Sequence, residues 1–405
     1  MRLLVLNSGS SSLKFRVVES GRPSRSDAAP PDLTTILSGS ITRIGHDAAI
    51  RWNTRGEATA APTVRNHYDA VRYLFDHADL QAVEAVGHRV VHGGRRFIEP
   101  VRLDAVVMRE LEALTVLAPL HNPPSLMAIH AARSLLGEKI PMVAVFDTAF
   151  HAQMPADAAT YAIPHDLSSR HGIRRYGFHG LAHASLAAGY AAATRRSLEG
   201  TRLITLQLGN GCSATAVRDG RSVDTSMGMT PLEGLVMGTR SGDVDPAIVT
   251  YIARCETVDA ETVLRWLNER SGLLGLSGLS NDVREILQAE RRGDAQAALA
   301  VDVFCHRARH YIGAYLAALS GADAVVFGGG IGEHAAAIRE RICAGMEWCG
   351  LRLDPIRNSE TVAPEAGTAA CISPPDAGLP AYVVAVDEEA VIAGEILRCL
   401  CPPTA

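Results

Sequence analysis

Apolar runs of strand length, each followed by a turn of small residues, recur along this chain. RLLVL near the start is one such run, and KFRVVES from Lys14 alternates apolar with polar as a half-buried strand does. The stretch between them, which reads NSGSSSL from Asn7, therefore closes a hairpin; a linker would not carry an apolar strand on each side. Gly9 frees the backbone there, Ser10, Ser11 and Ser12 supply short donors, and Lys14 adds a positive charge. Exposed N–H groups with hydroxyls suit a phosphate, although on this stretch alone an ordinary polar hairpin is the simpler reading. Much further on, ITLQLGNGCSATAVRDG from Ile204 repeats the pattern: Leu6 falls on Leu206, Asn7 on Gln207, Gly9 on Gly209, Ser10 on Asn210 and Val17 on Val217. The repeat predicts two lobes of one topology, each with a Gly-rich hairpin. Two such hairpins facing across a cleft would hold two ends of a polyphosphate.

The other apolar runs fit alternating α/β lobes. AVEAVGHRVVHGG and IPMVAVFDTAFH each contain a strand ending in polar residues. AVVFGGGIGEHAAAIRERICAGM predicts strand, glycine turn, and a helix from Ala335, an arrangement that aims backbone N–H groups at a ligand. It matches neither a P-loop nor G-x-G-x-x-G. Ser20–Pro31, rich in Pro, Ser and charge, is expected to be the least ordered segment.

With 405 residues, the chain is too long for one ordinary core and points to two domains. Its 47% hydrophobic and 20% charged residues describe a soluble globular protein, and the net charge of −5 argues against nucleic acid as the main partner. The eight cysteines are scattered with no C-x-x-C pair, which reads as reduced thiols. No run reaches the ~18 apolar residues of a membrane helix, and Leu3–Leu6 is too short for a leader, so no membrane is expected.

Several side chains stand out chemically. Asp147 ends the strand MVAVF, a place suited to a ligand or metal and equally to capping the next turn. Glu388 and Glu389 open a helix, where acids are favoured in any case; from there a Glu would reach a Mg²⁺-bound water. Asp245 and Pro246 form a helix start, with Asp as N-cap and Pro at the first helical position. Arg240 sits amid Gly238, Ser241 and Gly242, and a guanidinium there suits bidentate recognition of carboxylate or phosphate. Arg89, beside a strand, is a second such group. Asp282 caps a helix with Glu285 three residues on, leaving Arg284 on the first turn free to cover a planar ligand. His88, His92, His121, His151, His179 and His183 cluster around these segments; their spacings fit no standard zinc pattern, so they read better as donors to an oxyanion.

Taken in order, VLNSGSSSLKF, GHRVVHGG, FDTAFH, RYGFHG, LGNGCS, VDTSMGMTPLEGLVMGTRSGDVDPAI and GGIGEH resemble the acetate kinase family, over nearly the whole chain. The resemblance implies the two-lobed α/β fold shared by sugar kinases, Hsp70 and actin, with duplicated βββαβαβα cores around a central cleft. The N-terminal lobe is expected over 1–148, completed by the C-terminal helix 386–405, and the nucleotide-binding lobe over 149–385. Residue by residue, the resemblance implies Asn7 and Glu388 at a Mg²⁺ (or Mn²⁺) site. It implies Arg89 and Arg240 holding carboxylate and phosphoryl, His179 stabilising the transition state, and Asp147 orienting the acyl group or metal shell. Val91, Leu120, Phe178 and Pro231 would form the acyl pocket. Ser10, Ser12, Lys14, Gln207, Gly209, Asn210, Gly211, Asp282, Val283, Arg284, Gly330, Ile331 and His334 would bind the nucleotide.

Three positions depart from the family pattern. Gln207 stands where His usually precedes LGNG, His334 where Asn usually follows GIGE, and Leu181 and Ala182 where FHGTSH has two hydroxyls. The implied reaction is reversible in-line phosphoryl transfer from ATP to acetate, giving acetyl phosphate and ADP, in a cytoplasmic homodimer serving acetyl-CoA biosynthesis. A carboxylate is already ionised at neutral pH, so no general base is required, and a site rich in Arg, His and Gly without a catalytic triad agrees. Propionate or butyrate kinase, a pyrophosphate-linked acetate kinase, and a non-catalytic nucleotide-binding scaffold are the alternatives.

Overall fold

A computed structural model describes residues 1–21, 33–53, 58–61, 63–119, 121–362, 364 and 368–401. Of the segment Ser20–Pro31, all but Ser20 and Gly21 lies outside the described residues, and so does Leu120. The chain forms two compact units: Met1–Ala152 with Asp387–Ala405, and Gln153–Val386.

In the first unit β1 (Arg2–Ser8), β2 (Ser12–Ser20), β3 (Leu33–Thr42), β4 (Ala49–Trp52), β5 (Ala58–Ala60), β6 (Ala85–Val90), β7 (Val101–Arg102) and β8 (Met142–Phe146) form one sheet in the order β5-β4-β3-β2-β1-β6-β8-β7. Strands β1, β6 and β8 run parallel, with Leu6 opposite His88 and Arg89 opposite Val145. The apolar runs of β1 and β8 are continuous because both faces of the sheet are covered. The C-terminal helix Glu388–Leu400 covers one face. Gly87 makes that contact close: a Cβ there would lie 2.2 Å from Ile396 Cδ1.

The second unit repeats the plan. β9 (Arg202–Leu208), β10 (Cys212–Arg218), β11 (Arg221–Thr225), β12 (Ala324–Gly328), β13 (Ala369–Cys371) and β14 (Ala381–Val384) lie in the order β11-β10-β9-β12-β14-β13. Here β9, β12 and β14 are parallel, and β13 adds an antiparallel edge as β7 does in the first unit. The helix Gly180–Thr194 lies on this sheet, with Gly189 against Val384. The repeat read between Asn7 and Gln207 is thus a true structural repeat: both residues sit sixth in seven-residue strands.

Two local expectations are corrected. The glycine-rich stretch after β12 is not a turn preceding a helix from Ala335; Gly329–His334 is itself helical, and a second helix follows over Ala336–Cys343. The Glu333 carboxylate explains why, since it accepts the Gly329 N–H at 3.0 Å and so satisfies a donor at the helix start. Downstream of Arg240, the helix begins at Ala247, one residue later than expected. The Asp245 carboxylate still accepts the Ala247 N–H at 2.9 Å. All eight cysteines are free.

Candidate functional site

In the first unit the carboxyl ends of β1, β6 and β8 bring together Asn7, Arg89 and Asp147, the position at which open α/β sheets hold ligands. Arg89 donates from Nε (3.2 Å) and Nη2 (2.5 Å) to Asp147 Oδ2, and from Nη1 to the Ser8 carbonyl at 3.1 Å. Burial would lower the Arg89 pKa, but the Asp147, Glu388 and Glu389 charges outweigh it and raise it. Asn7 Nδ2 donates to Glu388 at 2.8 Å and to Glu389 at 2.7 Å, fixing the start of the C-terminal helix. Arg16 pairs with Asp387 at 2.8 Å and Glu389 at 3.5 Å. Glu389, absent from the expected metal site, is as closely held by Asn7 as Glu388 is.

The hairpin turn is closed by Gly9 N–H donating to the Ser12 carbonyl at 2.8 Å, with Ser10 exposed at its tip. Lys14 lines a cavity of about 180 Å³ with Arg16, Ser38, Ser40 and Asn53. Val91 is buried beside the ends of β6. His88 and His92 are buried, and burial lowers their pKa values to about 3 and about 4, so both are neutral imidazoles of the core and not cationic donors.

In the second unit the turn Gly209–Gly211 between β9 and β10 borders a cavity of about 530 Å³. Of the residues expected at the nucleotide, Gly209, Asn210, Asp282, Val283, Arg284, Gly330, Ile331 and His334 line it. Asn281 and Ala335, which were not anticipated, line it too. Asn281 earns its place by donating from Nδ2 to Asn210 Oδ1 at 2.9 Å. Its position directly before the capping Asp282 was the available signal. Ser10, Ser12 and Lys14 belong to the first unit, and Gln207 and Gly211 flank the cavity without lining it. Gln207 turns its Nε2 toward Gly329, and its buried Oε1 has no hydrogen-bond partner among the described residues. Arg284 is not free: it donates to Asp282 from Nε at 3.0 Å and Nη2 at 2.5 Å, and this pairing lowers the Asp282 pKa.

Gly211 is where the charged groups converge. A Cβ built on it would lie 3.1 Å from His179 Cε1 and 3.2 Å from both His179 Nε2 and Arg240 Nη2. His179 opens the helix Gly180–Thr194 in the left-handed region, at φ 57°, a conformation uncommon for a non-glycine residue. Its Nδ1 lies 2.8 Å from Ser213 Oγ. Leu181 and Ala182, which replace the family's hydroxyls, are buried in that helix, and no side chain caps its start.

Arg240 donates from Nη1 to the Pro231 carbonyl at 2.7 Å. Among the described residues it has no carboxylate within ion-pair distance, and burial lowers its pKa. The long loop carrying Pro231 and Arg240 is held by half-buried polar groups. Arg175 donates to the Thr225 and Ser226 carbonyls, both at 3.1 Å, and to Glu233 at 2.6 Å; Tyr161 also donates to Glu233. Gly238 N–H donates to the Asn210 carbonyl at 2.9 Å, tying the loop to the hairpin. Phe178 is buried just before His179.

A family profile described as the acetokinase family matches residues 2–394. The chain is 48% identical to the acetate kinase of Solibacter usitatus, over 99% of this chain and 98% of that one. Among solved structures, the acetate kinase of Porphyromonas gingivalis superposes with a TM-score of 0.88 at 37% identity, covering 98% of this chain and 99% of the other. A propionate kinase from Francisella tularensis does so with a TM-score of 0.86 at 37% identity, covering 97% and 98%.

Proposed function

This chain belongs to the acetokinase family, with the sugar kinase/Hsp70/actin-like fold, and on that premise we infer that it is an acetate kinase. It transfers a phosphoryl group reversibly from ATP to acetate, giving acetyl phosphate and ADP. The observation that carries this reading is the convergence of His179 and the carboxylate-free Arg240 on Gly211, beside a cavity large enough for a nucleoside. The acetate oxygen is ionised at neutral pH, so the site has no base to supply. It forms the new P–O bond while the bond to ADP breaks. What the protein contributes is position and charge: Arg240 and His179 face the charge that develops on the phosphoryl oxygens, and the hairpin N–H groups hold the phosphates. Asp147 holds the Arg89 guanidinium in place through Nε and Nη2.

Among the described residues no three His, Cys, Asp or Glu side chains converge on a metal. Mg²⁺ is usually held by one or two carboxylates together with waters and substrate phosphates, and Glu388 with Asn7 fits that mode. When bound, the ion screens the phosphate charge. Phe178 and Pro231 of the second unit are assigned to the acyl methyl group, and His334 with Ile331 and Arg284 to the nucleobase end of the cavity.

Working on ATP, the enzyme would act in the cytoplasm, its acetyl phosphate feeding acetyl-CoA synthesis. No helix among the described residues is long and apolar enough to cross a membrane. Pairing with a second copy is supported by an exposed apolar stripe, Val244, Ile248 and Tyr251, at the helix Ala247–Glu256. The solved relative titled a propionate kinase makes acyl length the point to test. Acyl phosphate formation assayed over acetate, propionate and butyrate should rank acetate first in kcat/KM. Formation of no acyl phosphate overturns the reading, and a preference for butyrate overturns the acetate assignment.

A further inference from the structure

Behind His179 runs a line of polar groups that the transfer reaction itself does not use. Ser213 Oγ lies 2.8 Å from His179 Nδ1 and 2.8 Å from His183 Nε2, and His183 Nδ1 lies 2.8 Å from Thr205 Oγ1. Thr205 Oγ1 in turn reaches the Thr215 carbonyl at 3.4 Å. Ser213, His183 and Thr205 are all fully buried. They come from three elements: β10, the helix Gly180–Thr194 and β9. The register places Gln207 opposite Ser213 and Thr205 opposite Thr215, so these side chains share one face of the sheet. Polar groups in such a place carry a cost unless every donor meets an acceptor, and this line meets that condition with one consistent direction.

The direction follows from the far end. The Thr205 hydroxyl donates to a carbonyl, so it accepts from His183 Nδ1–H. With His183 as the neutral ring, its Nε2 then accepts from Ser213 Oγ–H. Ser213 is left to accept from His179 Nδ1–H. We propose that Ser213, backed by His183 and Thr205, is a positioning residue for the transfer reaction. It holds His179 with its proton on Nδ1 and turns Nε2 toward Gly211, where Arg240 Nη2 also lies. In this arrangement the ring places a donor on Nε2 only as the imidazolium, the form suited to an anionic phosphoryl group.

The inference rests on the acetate kinase reading, and a double-mutant cycle in the full-length enzyme tests it. Ser213→Ala should lower kcat about 10–100-fold, the range for groups that orient an active side chain, with the KM values for ATP and acetate within about twofold. Thr205→Val, which keeps shape and loses the hydroxyl, should lower kcat about 3–10-fold by the same loss of orientation. In a His179→Ala background, Ser213→Ala should cost nothing further. An equal loss in both backgrounds would mean that Ser213 merely supports the fold, and the proposal would be overturned. Ring ¹⁵N spectra supply a readout independent of turnover: in the parent, neutral His179 should show Nδ1 protonated and Nε2 bare. The opposite tautomer overturns the proposal. Should the parent form no acyl phosphate, the functional reading fails while the ring spectrum still decides the tautomer.

Discussion

The hairpin β1–β2 and the hairpin β9–β10 begin seven-residue strands in the same place of the same strand order, yet their chemistry is arranged in opposite ways. In the first unit the charges are paired internally: Arg89 with Asp147, Arg16 with Asp387, and Asn7 between two glutamates. In the second, Arg240 is held by a carbonyl alone and the turn opens onto a cavity. One topology therefore supports two electrostatic solutions. A pre-paired site holds its groups in fixed orientation and is stable without a ligand. A site with an uncompensated guanidinium keeps its strongest interaction for whatever anion arrives. The difference arises from side chains at the strand ends and not from the backbone plan.

The largest effect expected from this contrast is on stability. Asp147→Ala leaves the Arg89 guanidinium, only 13% exposed, without its partner, and should cost about 3–5 kcal/mol in urea unfolding. A cost under about 1 kcal/mol, the scale of an exposed pair, would show that the first site is not pre-paired in solution. Next comes turnover. Arg240→Lys keeps the charge and loses the planar fork, and kcat should fall roughly 100-fold or more while the unfolding midpoint stays close to the parent's. Near-parental turnover would remove Arg240 from the site.

A smaller effect separates the two turns. At Gly238 a Cβ would lie 2.1 Å from Asn210 Oδ1, so Gly238→Ala should displace the Asn210 amide and weaken Mg-ADP binding about tenfold, or about 1.4 kcal/mol, by calorimetry. At Gly9 the nearest atom is Ser12 Oγ at 2.7 Å, a hydroxyl that can rotate away, and Gly9→Ala should bind Mg-ADP nearly as the parent does. Equal losses at both positions would argue against the asymmetry.

The last effect is in acid. β6 carries His88 in the core, whereas β12, its counterpart, reads AVVFG and has no titratable side chain. The His88 pKa falls from 6.5 to about 3 on folding, so unfolding takes up a proton at acid pH. Its contribution to stability is whole above pH 6.5 and shrinks as the pH drops from there toward about 3. With Trp266 and Trp348 replaced by Phe, the fluorescence of the buried Trp52 reports the first unit. It should lose its folded signal at a higher pH than a probe in the second unit, and His88→Leu should narrow the gap.

Much of the frame was legible because it is periodic. The alternation of KFRVVES, the solid apolar runs of β1, β8 and β12, and the echo of LNSGS in LQLGN each follow from which faces are covered. What escaped depends on partners distant in sequence. Three glycines read as a turn, since nothing local reveals that the Glu333 carboxylate bonds the N–H groups of both Gly329 and Val386. Glu389 read as an ordinary first-turn acid because Asn7, its partner, lies 382 residues away. Ser213, two residues after LGNG, carries no local signal, and only the strand pairing sets it beneath two imidazoles. Arg284 is different, because its partner is only two residues off and a local pair was there to be read.

The C-terminal helix against Gly87 has a consequence for biosynthesis. The strands it covers are made before Gln153–Val386, and the helix after it. During translation at about 5–20 residues per second, the face of β1, β6 and β8 waits roughly ten to fifty seconds, while all of Gln153–Val386 emerges, before Ile392 and Ile396 arrive to cover it. Throughout that interval the nascent chain presents an apolar sheet face to the cell, a surface that chaperones engage. A messenger truncated ahead of codon 388 would release a chain in which that face is never closed.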